Sequence, residues 1–126
     1  MKKIIKILYI LIFILFLVGC NNIIITPNVV QNMRNGEGSV QLIKYNDDLN
    51  TIVRITIKQG SSIGWHIHEN DQEIIYVISG SGVLTEDDKQ YELLKGQANY
   101  CGKGKNHSIK NVNDENLELF AVITKL

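Results

Sequence analysis

Three histidines occur in the 126 residues, and all three fall in two short glycine-bracketed segments. His66 and His68 are separated by one residue. In an extended chain, side chains at i and i+2 point to the same face, so the two imidazoles converge while Ile67 turns away. Four residues of polar loop follow, and Glu73 then opens the apolar run 74–78. A tight hairpin over this loop would return Glu73 to the two imidazoles. His107 follows the turn-forming stretch 102–106 and starts a fresh β-like run. Three imidazoles and one carboxylate suit a divalent transition metal such as Fe, Mn, Co, Ni or Zn. Four protein donors on an octahedral ion leave two positions for water, oxygen or substrate.

Two other carboxylates compete with Glu73. Glu69 and Asp71 sit in the loop itself. Glu73 is favoured because a strand start anchors it. A pair of histidines at i, i+2 also occurs by coincidence on exposed strands. The case therefore rests on all four residues together.

The elements that must position these groups are short strands. Residues 51–58 alternate, with Val53, Ile55 and Ile57 on one face and Arg54, Thr56 and Lys58 on the other. Further β-like runs cover 40–45, 63–68, 73–79, 82–85, 89–94, 97–101, 107–112 and 117–126, with turn formers between them. No stretch of this region carries a sustained 3.6-residue period. Many short strands at regular spacing predict an all-β sandwich or barrel. By alternation, Gly64 is expected on the face of His66 and His68, Ile75, Val77 and Ser79 on that of Glu73, and Ile109 and Asn111 on that of His107. The cavity wall is then mostly apolar, and no arginine or lysine stands out as aimed inward. Trp65 and Tyr76 fall on the opposite faces.

These segments resemble the two signature motifs of the cupin superfamily. Gly60, His66, His68, Glu73 and Gly80 fill every position of the first motif. Gly96, Gly104, His107 and Asn111 fill the second, with Gly102 where the family usually has proline. The resemblance covers roughly residues 36–126. It implies a single cupin-type jelly-roll β-barrel with His66, His68, Glu73 and His107 as metal ligands. The absent proline would loosen the turn before His107 without touching a ligand.

The first twenty residues are of a different kind. Lys2, Lys3 and Lys6 form a positive start, and residues 7–18 are continuously apolar. This run is shorter than the roughly 20 residues a membrane-spanning helix needs, so it reads as a secretory signal. Leu17-Val18-Gly19-Cys20 resembles a bacterial lipobox, which implies cleavage before Cys20 and lipidation of its thiol. The expected organisation is a signal peptide at 1–19, a tether at 20–35 and the barrel at 36–126. The domain would then stand outside the cytoplasm, anchored to a membrane.

Loss of residues 1–19 removes three of the 13 basic residues and none of the 13 acidic ones, leaving a charge of about −3. No basic patch stands out, which argues against nucleic-acid binding. With Cys20 lipidated, Cys101 has no partner in the chain and reads as a buried thiol, with a ligand or reactive role as the alternative. Two classes of function follow. One is a tethered module holding a divalent metal and a small molecule in an apolar pocket. The other is a mononuclear metalloenzyme, such as an oxygenase, isomerase or decarboxylase. Exposed sheet edges also make a homodimer the expected assembly.

Overall fold

The computed structural model describes residues 23–126, so the signal sequence and Cys20 lie outside the described residues. Ten strands make up the body: β1 (Asn28–Gln31), β2 (Ser39–Asn46), β3 (Asn50–Ile57), β4 (Ser62–Ile67), β5 (Asp71–Ser79), β6 (Ser81–Glu86), β7 (Lys89–Leu94), β8 (Ala98–Cys101), β9 (Asn106–Lys110) and β10 (Leu117–Lys125). The pairing is antiparallel throughout.

Local chemistry sets the hairpins. Between β2 and β3, Asp47 Oδ1 accepts the amides of Leu49 and Asn50 at 2.8 and 2.6 Å, a side-chain turn of the kind aspartate favours. Between β6 and β7, Asp87 and Asp88 both adopt left-handed backbone, as a two-residue hairpin matched to strand twist requires.

The strands form two facing sheets of the expected jelly-roll kind, in the orders β1-β2-β3-β10-β5-β8 and β4-β9-β6-β7. Alternation sends Val53, Ile55 and Ile57 inward, together with Ile75, Val77, Leu84, Ile109, Leu117 and Leu119. Each such side chain taken fully from water contributes roughly 1.5–3 kcal/mol.

Three features differ from the expectation. First, β4 and β5 are not a hairpin. Both edges of β5 are occupied, by β10 and β8, while β4 pairs with β9. The polar residues 68–70 carry the chain from the small sheet to the large one. Second, the folded body reaches back into the segment read as tether. β1 pairs with β2, and Val30 and Met33 pack against the core. Third, β4 carries a bulge. Ile63 lies opposite Ile109 and His66 opposite His107, so the strand holds one residue more than its partner. The bulge breaks the parity that would have put Gly64 beside His66. Ile63 takes the inward place, and Gly64 turns to the 34–36 segment. A Cβ on Gly64 would strike the Arg34 carbonyl oxygen, so this contact needs glycine.

Candidate metal centre

The β4–β9 pair places His66 directly across from His107. His68 lies just past β4, where its amide donates to the Lys105 carbonyl at 2.9 Å and its carbonyl accepts from the Gly104 amide at 2.7 Å. Glu73 arrives from the opposite sheet on β5. His68, Glu73 and His107 are buried, and His66 is half-buried.

One donor atom from each residue converges, all four within 4.8 Å of one another. His107 Nε2 is 3.2 Å from both His66 Nε2 and His68 Nε2. Glu73 Oε2 is 3.0 Å from His107 Nε2 and 3.4 Å from His68 Nε2.

The outer nitrogens explain this convergence. His66 Nδ1 lies 2.9 Å from the carbonyl of Gly64, the bulge residue. A carbonyl only accepts, so Nδ1 carries the proton and Nε2 presents a lone pair. His68 Nδ1 donates in the same way to Asp71 Oδ1 at 2.7 Å. His107 Nδ1 is buried with no hydrogen-bond partner among the described residues.

Two imidazole lone pairs facing inward beside a third ring and a carboxylate suit a cation. Donors bound to one ion at about 2.0–2.2 Å and at right angles stand about 3 Å apart, as His107 does from the other three and His68 from Glu73. The donor set therefore fits a divalent metal ion, and His66, His68, Glu73 and His107 would hold it.

The charges are arranged accordingly. Burial alone would raise the Glu73 carboxyl, but the His107 and His68 rings beside it overcome this and hold the group at about 2. The Glu73 carboxylate beside it raises His68 against the effect of burial, and Asp71 adds to this. Burial lowers His66. Cys101 is buried on β8, opposite Glu73, and burial with nearby carboxylates pushes its thiol up to about 11. That favours the inert reading.

The competing carboxylates separate cleanly. Asp71 stands behind His68, and Glu69 is exposed. A cavity of about 220 Å³ opens over the donors, walled by Val53, Ile55, Ile63, Ile75, Ile109 and Ile123. Asn111 does not line it. Its Nδ2 donates to the carbonyls of Ile57 and Glu115 at 2.9 and 2.7 Å, and its Oδ1 accepts the Asn113 amide at 3.0 Å. This second-motif asparagine ties down a turn. The expectation of no inward cation is also corrected, because Arg34 and Lys44 line the cavity. Lys44 was findable by parity, since it follows buried Val40 and Leu42 at two-residue steps. Arg34 sits in a turn that alternation does not describe.

The family model for the cupin domain matches residues 53–123. The chain belongs to the cupin family. An oxalate-binding protein from Thermotoga maritima is 33% identical over 108 residues, covering 81% of this cupin and 89% of that protein. A crystal structure described as a "predicted oxalate decarboxylase" from Thermotoga maritima superposes with a TM-score of 0.77 at 33% identity, covering 81% of this chain and 94% of that one. A cupin 2 conserved barrel domain protein from Salinispora arenicola shares the fold, with a TM-score of 0.64 at 22% identity and coverage of 83% and 91%.

Proposed function

We propose that this cupin is a membrane-tethered module that binds one divalent metal ion through His66, His68, Glu73 and His107 and holds a small molecule in the cavity above it. The observation that carries the reading is the pair of imidazoles locked as Nδ1–H by Gly64 and Asp71, with Nε2 directed at His107 and Glu73. Iron, manganese, nickel and zinc all suit this donor set. At about 220 Å³ the cavity is smaller than the roughly 300–1,000 Å³ of sites for drug-sized ligands, which favours a small one. The names of the Thermotoga relatives point to a short dicarboxylate. The apolar run 7–18, followed by Gly19-Cys20, supports export and lipid anchoring.

Elemental analysis of the purified chain beside a His66→Ala/His68→Ala variant tests the reading. Near-stoichiometric metal, lost in the variant, is expected. No metal in either protein after reconstitution overturns it.

A second reading is a mononuclear metalloenzyme, and one relative described as a "predicted oxalate decarboxylase" favours it. Four protein donors leave two positions on an octahedral ion, enough to polarise a bound substrate. Product formation from oxalate by the loaded protein separates catalysis from binding.

The outer face of the large sheet supports self-association. Tyr100, Ile74, Val122, Ile52 and Tyr45 follow one another across five strands in register, and Tyr76 lies beside Phe120 in the next row. Tyr45, Ile52, Ile74, Tyr76, Tyr100 and Phe120 are exposed. A continuous apolar strip of this kind marks an interaction surface, and a second copy would bury it against itself.

A further inference from the structure

We infer that Arg34 and Lys44 select the ligand of the metal cavity, and that they select a small dianion carrying two carboxylates. This rests on the metal-and-ligand reading above and adds its specificity.

Lys44 occupies the inward-facing row of the large sheet, beside Val53, Ala121 and Ile75, one step from the row that holds Glu73. An inward lysine at the end of such a row lays its aliphatic stem along the wall, and Lys44 is among the residues that line the cavity. Arg34 comes from outside the sheets. Asn32, Arg34 and Asn35 have φ of 49°, 55° and 59°. Asparagine tolerates this left-handed backbone, but arginine gains nothing from it. The conformation persists because the segment is over-determined. Gly36 and Gly64 meet backbone to backbone, the Ser62 amide donates to the Glu37 carbonyl at 2.8 Å, and Ser62 Oγ accepts the Glu37 amide at 2.9 Å. Strain held in place by its surroundings clusters at ligand sites. Here it sets Arg34 in the lining of the metal cavity.

Neither cation is spent elsewhere. Among the described residues neither forms an ion pair, and Glu37, the nearest acid in sequence to Arg34, pairs with Lys110. Charge balance then identifies the ligand. Besides the imidazoles, the acidic and basic residues lining the cavity are Glu73, Asp71, Arg34 and Lys44. The two acids and the two bases cancel, so a divalent ion leaves the cavity with two positive charges. A dianion neutralises them. One carboxylate would meet the metal and the other the rim, where arginine offers a paired donor fork and lysine a point charge.

The test uses the full chain loaded with manganese(II), titrated calorimetrically with oxalate, malonate and acetate. The variants are Arg34→Gln/Lys44→Gln and Arg34→Gly, the latter also relieving the left-handed backbone. Both should keep wild-type manganese content. The double variant should weaken oxalate or malonate binding at least tenfold while changing acetate affinity less than twofold, and Arg34→Gly should show the same bias. Dianion affinity unchanged in the double variant overturns the inference and leaves the metal reading standing. So does a wild type that takes up manganese but binds neither dianion. A wild type that takes up no metal overturns both.

Discussion

Asp71 Oδ1 accepts a hydrogen bond from His68 Nδ1 at 2.7 Å, so the carboxylate that competes with Glu73 in the sequence acts from behind the ring. It fixes the tautomer and orientation of His68 and raises the basicity of Nε2. Replacing Asp71 with Ala should lower metal affinity about 10–100-fold, in the range for such outer partners. Asp71→Asn keeps an acceptor oxygen and should lose less. The Asp71 side chain is about one-third exposed, so both variants should fold. Competition against a chromophoric chelator reads the affinities. Equal affinity in Asp71→Ala and wild type would remove the orienting role.

The Glu73 carboxyl is buried, yet its partners hold it at about 2, below the ordinary 4.5. A lowered folded-state value means the ionised form stabilises the fold. That contribution is complete above pH 4.5 and lost as pH falls toward 2. The difference corresponds to about 3 kcal/mol. In the metal-free protein, wild type should lose stability steeply between pH 5 and 2. Glu73→Gln, with nothing to titrate there, should show a flatter acid limb. Thermal melts across that window decide it, and parallel limbs would mean that Glu73 is not ionised among the histidines.

How much of this was legible in the sequence depends on the range of the interaction. Strand existence was readable, because Val53-x-Ile55-x-Ile57 and Ile75-x-Val77 each bury one face. The four converging side chains were readable from type and spacing. The sheet partners were not. Nothing local in residues 63–79 says that β5 will be enclosed by β10 and β8 while β4 joins β9. The bulge was hidden for the same reason: it exists only relative to a partner some forty residues away. Arg34 escaped because left-handed backbone at a non-glycine residue carries no signature in the sequence.

The contact between Gly64 and the 34–36 segment leaves no room for a side chain. A Cβ there would also come within 2.6 Å of the Gly36 nitrogen, and backbone cannot give way as a flexible side chain does. Gly64→Ala should therefore cost about 1–3 kcal/mol, typical of overpacking. Gly102→Ala is the control. A Cβ at Gly102 meets only the Tyr100 ring, at 3.4 Å, so the change should stay within about 0.5 kcal/mol. Denaturant midpoints of the two variants compare them. Equal midpoints would show that the 34–36 segment moves freely and does not hold Arg34 in place.

Phe120 and Tyr76 are register partners on the outer face of the large sheet, 42% and 48% exposed. Two such side chains beside Ile74, Ile52 and Tyr100 form a strip that a second copy can cover. A two-fold contact is self-complementary, so one substitution acts twice in the dimer. Phe120→Lys/Tyr76→Lys would place four added charges in the contact and should leave a monomer by sedimentation equilibrium. The side chains point away from the cavity, so metal content should be unchanged. A wild type that is already monomeric at tens of micromolar would remove the strip as a dimer contact. A variant that stays dimeric would move the contact elsewhere, with the sheet edges at β1 and β8 the next surfaces to substitute.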